Sequence, residues 1–143
     1  NRAANFSMDP RSDNVVAPGK KSYHTIIPGF LMKDGKPIGP FGVMGGFMQP
    51  QGHLQLLTNE IDFSMNPQEA LDAPRFQWVG GRKIQLEKAV PIAVVRALEA
   101  REHEIEVVED NGDMGRGEVI WRLENGVLCG ASEPRCDGTV ACW

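Results

Sequence analysis

The chain has 143 residues, 41% of them hydrophobic and 24% charged, the balance of a globular domain or of part of a larger one. Its 15 Lys and Arg against 19 Asp and Glu leave a net charge of −4, so the sequence offers no electrostatic footprint for nucleic acid or an anionic membrane. Nor does it hold the run of about 18 apolar residues that a membrane-spanning helix needs.

In chain order, Asn1-Arg2-Ala3-Ala4-Asn5-Phe6 carries no initiating Met and no secretory leader, and reads as the interior of a longer polypeptide. Residues 1–29 are rich in turn formers (Asp9-Pro10, Asp13-Asn14, Pro18-Gly19, Pro28-Gly29) and predict a long loop with one short extended stretch, Tyr23 to Ile27. Two apolar runs, Phe30 to Lys33 and Ile38 to Met44, flank Asp34-Gly35 and predict a hairpin, with Pro40 disturbing its second arm. Gly45-Gly46 follows. A helix ending near Ile61 comes next, marked by the spacing of Leu54, Leu57 and Ile61, with Pro50 in its first turn.

Asn66-Pro67-Gln68-Glu69 predicts a capped short helix that Pro74 stops. Ile84 to Leu86 reads as a strand, Pro91 to Glu102 as a helix, and Ile105 to Val108 as a strand. Residues 109–117 are polar loop. Val119 to Leu123 and Val127 to Ala131, around Glu124-Asn125-Gly126, predict a second hairpin paired with the first in one sheet. The expected class is α+β, a mixed sheet with helices.

Cys129, Cys136 and Cys142 are odd in number and bunched, a poor disulfide framework, and His24, His53 and His103 complete no zinc spacing. Incidental or buried thiols in an intracellular compartment are the expectation.

Three features could carry chemistry. Gly42-Val43-Met44-Gly45-Gly46 lies between a strand and a helix, where paired glycines let the backbone approach a ligand and helix-start amides favour developing negative charge. A tight turn is the alternative. Lys20-Lys21-Ser22-Tyr23-His24-Thr25 gathers hydroxyls, an imidazole and two cations; its plain reading is a solvated loop with one buried tyrosine. Asp72-Ala73-Pro74-Arg75-Phe76 marks a helix end and an arginine for a carboxylate, a structural role by default. His53 on the helix reads as solvent-facing, and His103 as a cation at a helix end.

Taken in order, these segments resemble the γ-glutamyltranspeptidase family. The matching pieces include Asn5-Phe6, Ala17-Pro18-Gly19-Lys20-Lys21, Asp34-Gly35-Lys36-Pro37, Gly42-Val43-Met44-Gly45-Gly46, Ile61-Asp62-Phe63-Ser64-Met65-Asn66, Glu69-Ala70-Leu71-Asp72-Ala73-Pro74-Arg75-Phe76 and Gly130-Ala131-Ser132-Glu133-Pro134-Arg135. The resemblance implies the C-terminal part of the small subunit of an N-terminal-nucleophile hydrolase, within a four-layer αββα sandwich. It implies a self-cleaving precursor whose exposed threonine, several tens of residues before Asn1, forms an acyl-enzyme with a γ-glutamyl donor of the glutathione type. No metal or organic cofactor is implied.

The resemblance also assigns roles. Gly45 and Gly46 match the glycines whose amides form the oxyanion hole. His24 and Thr25 stand in the place of two adjacent serines that hold the donor α-carboxylate. Arg2 and Asn5 stand where a Gln and an Asp bind the donor α-amine. An arginine there repels an ammonium group, and a neutral Asn forgoes a charge-assisted hydrogen bond of about 1.5–3 kcal/mol. A glutaryl- or cephalosporin-type amidohydrolase of the same fold is therefore an alternative, and a non-catalytic structural fragment is another. The implied partners are the remainder of the same precursor and a small amide substrate; exposed edges and apolar surface favour self-association as well.

Overall fold

A computed structural model of the chain describes residues 2–23 and 25–143. The architecture is α+β, with seven strands in two sheets and three α-helices among the described residues. The first sheet holds β1 (Gly29–Lys33), β2 (Lys36–Met44), β6 (Arg116–Arg122) and β7 (Leu128–Ser132), antiparallel throughout in the order β1-β2-β6-β7. Both expected hairpins form, and the strands of residues 30–44 and 119–131 share this sheet. Asp34 and Gly35 both take positive φ, 51° and 75°, the two-residue turn that matches strand twist. The prolines of β2 fall where it meets β1, and the register slips between Leu31 and Met32.

Two helices cover this sheet, α1 (Met48–Ile61) and α2 (Pro67–Asp72). Val43, Leu56, Leu71, Val119 and Trp121 are buried between them and the sheet. Strand β6 alternates strictly, with Gly117, Val119 and Trp121 inward. The spacing of Leu54, Leu57 and Ile61 identifies α1 but not its inward face. Leu54 and Ile61 are exposed, whereas Met48, Gln49, Gly52 and Leu56 are buried. The reason is close approach: a Cβ on Gly52 would lie 2.6 Å from Val43 Cγ1, so the glycine marks the contact. Helix α2 carries the expected capping box, with Asn66 Oδ1 accepting from Glu69 N at 2.9 Å and Glu69 Oε2 accepting from Asn66 N at 2.9 Å.

The second sheet is β3 (Phe76–Gly80), β4 (Lys83–Glu87) and β5 (Glu104–Val108). β3 and β4 are antiparallel; β4 and β5 are parallel and joined through α3 (Ile92–Glu99), which packs Val95 and Leu98 over Ile84, Leu86 and Ile105. Strand β3 was not expected, since its start reads as the end of α2. Gly80-Gly81 ahead of the Lys83 strand is the hairpin signal that marks it. Helix α3 is shorter than the expected Pro91–Glu102 span. His103 N donates to Leu98 O (3.1 Å) and Glu102 N to Glu99 O (2.8 Å), with Glu102 at φ 65°, a left-handed C-terminal cap.

Residues 2–28 hold a 3-10 turn (Arg2–Asn5) and an isolated bridge between Ser7 and Val15. The extended stretch expected from Tyr23 to Ile27 joins no sheet among the described residues. Tyr23, expected to be buried, is 42% exposed.

Candidate functional site

The turn between β2 and α1 is built on two glycines in conformations that L side chains avoid, Gly45 at φ 151° and Gly46 at φ 60°. Gly45 is also confined: a Cβ there would sit 3.0 Å from Gly115 Cα and 3.2 Å from Met48 Cβ. Gly46 faces open space. The carbonyl of Gly45 accepts from Met48 N (3.0 Å) and that of Gly46 from Gln49 N (3.2 Å). In a trans peptide the C=O and N–H point opposite ways, so capture of these carbonyls by the first turn of α1 aims the N–H groups of Gly46 and Phe47 away from the helix. Helix-start amides so aimed suit an oxygen that gains negative charge.

Opposite this turn lie Tyr23 and residues 25–27. A cavity of about 280 Å³ separates Tyr23, Thr25 and Ile27 from Gly46, Phe47 and Pro50. Gln49 joins the two sides. Only 6% exposed, it donates from Nε2 to Thr25 O (2.7 Å) and Gly46 O (3.3 Å), and accepts at Oε1 from Ile27 N (3.3 Å). The structure thus brings together Thr25 and Gly46, two of the sequence-predicted residues, with Gly45 supporting the turn from behind. Gln49 was missed; a glutamine on a helix reads as solvated, and its burial is visible only in three dimensions.

Asn5 ends the 3-10 turn and is not among the residues lining this cavity; its carbonyl accepts from Asn14 Nδ2 at 2.8 Å. Arg2 lies in the same turn. His24 lies outside the described residues. His53, expected to face solvent, is half-buried edge-on to Phe41 with ring centroids 5.2 Å apart, and burial lowers its pKa below the usual 6.5. His103 has a buried Nδ1 without a hydrogen-bond partner among the described residues. Cys129 and Cys136 are half-buried and Cys142 exposed, all three as free thiols. Among the described residues no cluster of three His, Cys, Asp or Glu could hold a metal, and no helix is long and apolar enough to cross a membrane.

A buried ion network backs the glycine turn. Arg75 pairs with Glu133 (2.8 Å), and Arg135 pairs with Glu133 (2.7 Å) and Glu87 (2.6 Å). Arg75 Nη1 also donates to the carbonyls of Met114 (3.1 Å) and Gly115 (3.0 Å), and Gly115 is the residue packed against Gly45. Burial and then the Arg135 charge pull the Arg75 pKa down against the pull of Glu133. For Arg135 burial acts downward too, but Glu87 and Glu133 together outweigh it and raise the pKa. The expectation of a structural arginine at 75 is met.

The gamma-glutamyltranspeptidase family profile matches residues 1–143. The glutathione hydrolase-like YwrD proenzyme of Bacillus subtilis is 35% identical over 148 residues, covering 98% of this chain and 28% of the relative. The oxamate amidohydrolase proenzyme of Klebsiella pneumoniae is 35% identical over 149 residues, covering 99% of this chain and 28% of the relative. The crystal structure of cephalosporin acylase from Bacillus halodurans superposes with a TM-score of 0.94 at 59% identity, covering 99% of this chain and 27% of that one. The chain spans little more than a quarter of the length of these relatives.

Proposed function

Because the chain belongs to the gamma-glutamyltranspeptidase family, we propose that its residues 1–143 are the C-terminal part of a small subunit, supplying the oxyanion turn and one wall of the acyl pocket of an amide-cleaving acyltransferase or hydrolase. The observation that carries this reading is the Gly45-Gly46 turn facing Thr25 across one cavity, with the turn's carbonyls engaged by α1. Membership of this proenzyme family supports a threonine nucleophile on the remainder of the precursor.

In the reaction that follows, the threonine Oγ attacks the amide carbonyl and its proton passes through the threonine α-amine to the departing amine. The carbonyl oxygen becomes an oxyanion, which the glycine-turn amides stabilise. The C–N bond breaks, leaving an ester to the threonine. Water or a second amine then takes the acyl group and restores the hydroxyl.

We favour a donor without an α-ammonium group, of the glutaryl or cephalosporin type, over a γ-glutamyl donor. Arg2 and Asn5 in place of an amine-binding pair support this, as does 59% identity to a cephalosporin acylase. The γ-glutamyl reading rests on the family at large and on the 35% identity to a glutathione hydrolase-like protein. The test uses the full-length, self-processed protein with glutaryl and γ-glutamyl anilides. Faster release from the glutaryl compound is expected. Faster release from the γ-glutamyl compound reverses the donor assignment, and no release from either removes the enzymatic reading. The 143-residue chain alone is expected to be inactive, because the nucleophile belongs to the preceding segment.

The rest of the precursor is the partner this chain requires. Phe47, Leu54 and Ile61 lie exposed along one side of the α1 region, a stripe suited to burial against it.

A further inference from the structure

Gln49 does what a neighbouring strand would otherwise do for the segment 25–27. Its single amide engages Thr25 O, Ile27 N and Gly46 O, across 24, 22 and 3 positions of sequence. Both the wall and the floor of the cavity are therefore tied to one side chain. The same device recurs elsewhere: Gln51 pairs with Trp78 N and O, Gln55 with Phe76 N and O, and Gln68 with Ser132 N and O. Those three bind exposed backbone. Gln49 is the buried one, where an amide is retained only if its donors and acceptor are used.

Resting on the acyl-transfer reading above, we propose that Gln49 is a positioning residue that sets the separation between the acyl-binding residues 25–27 and the Gly45-Gly46 turn, and so governs substrate KM. It acts through backbone alone, and the consequence is specific to the chemistry of its amide. Glutamate has the same shape and keeps an acceptor for Ile27 N, but its ionised form places negative oxygen against the carbonyls of Thr25 and Gly46. Protonation restores one O–H donor. Burial favours that neutral form. Tyr23 is the titratable side chain among the described residues lining the cavity.

The experiment compares full-length, self-processed wild type, Gln49→Glu and Gln49→Met on whichever anilide the wild type cleaves, with each KM and kcat taken as a ratio to wild type at the same pH. For Gln49→Glu the KM ratio is expected at about tenfold near pH 8, falling towards one near pH 5, with kcat changed less than about threefold. Gln49→Met should raise KM at both pH values alike. Amide hydrogen exchange at Ile27 should quicken in Gln49→Met while the core strands stay protected. A Gln49→Glu ratio that is flat with pH, or a KM within about twofold of wild type near pH 8, overturns the proposal. Failure of both variants to fold or self-process at either pH also overturns it, in favour of a role in folding. An inactive wild type counts against the acyl-transfer reading, and Ile27 exchange still tests whether Gln49 holds the segment.

Discussion

Replacing Glu133 by glutamine removes one charge and changes no shape, which isolates the electrostatics of the buried network. The Glu133 side chain is 0% exposed, and both its oxygens face only donors. Oε2 accepts from Arg75 Nη2 (2.8 Å) and Gly117 N (2.6 Å), and Oε1 from Arg135 Nη1 (2.7 Å) and Arg135 N (3.3 Å). Whichever way a glutamine amide is turned, its NH₂ confronts two donors. Two guanidiniums are then left with Glu87 as their one carboxylate. Breaking a buried pair by removing one partner costs about 3–5 kcal/mol, even though the intact pair need not be stabilising relative to an apolar core. Urea m-values rise with protein size, and at about 4 kcal/mol per molar for the full-length protein that loss lowers the unfolding midpoint by about 1 M. The assay is urea unfolding of the full-length protein, with self-processing followed on a denaturing gel. Because Arg75 also holds the Met114 and Gly115 carbonyls, and Gly115 backs Gly45, the variant should lose activity along with stability. A midpoint shift under about 0.5 M would show that water or relaxation compensates the buried charges and would refute the argument.

Gly45→Ala should fold poorly or lose at least about tenfold in kcat, since its Cβ would meet Gly115 Cα at 3.0 Å; steady-state kinetics on processed protein decides this. Gly46→Ala meets no atom within 4 Å and pays only for its left-handed backbone, about 1–2 kcal/mol, which thermal unfolding would measure; Gly46→Asn should cost less. Asn66→Ala removes half of the capping box of α2 and should cost about 1 kcal/mol in urea unfolding, without altering KM. For Glu87, burial pushes the carboxyl up, but hydrogen bonds from Arg135 and the Arg75 amide, with the charges of both arginines, hold it below its usual 4.5. A depressed carboxylate contributes stability above the unfolded value that is lost as pH falls through the folded one, so unfolding free energy should drop below about pH 4.5; titration in urea checks this, and Glu87→Gln should flatten that part of the curve.

Much of the fold was legible because local chemistry and tertiary packing agreed. Asp34-Gly35 and Asn125-Gly126 marked hairpins that form, and Asn66 to Glu69 marked a cap that forms; the strand expected from Val119 also forms, although it starts earlier, at Arg116, within the stretch read as polar loop. The inward face of α1 was hidden because a glycine, not a leucine, makes its closest contact with β2. Strand β3 was hidden for a related reason. Its outer edge is satisfied by Gln51 and Gln55, side chains one helical turn apart that meet alternate residues of the strand, and no apolar period announces such a pairing.

The same physics bears on the site. The glycine pair was legible because positive-φ backbone strongly favours glycine, a local preference that needs no knowledge of the rest of the fold. The wall opposite was not, because residues 25–27 belong to no strand and are held in part by Gln49, which lies 22 residues beyond Ile27. The two halves of the cavity therefore answer to different constraints. The glycine turn is fixed by backbone sterics and by Gly115 behind it, and leaves almost no room for a side chain at Gly45. The opposite wall is tied to the turn through the Gln49 amide, which holds Thr25 O and Ile27 N. On the proposed acyl-transfer reading, a scaffold so divided would keep one way of breaking an amide while changing the acyl group it accepts. Donor preference should accordingly move with substitutions at 25, 27 and 49, whereas changes at 45 and 115 should depress all donors together, and kinetics on two anilides for each variant separates these outcomes.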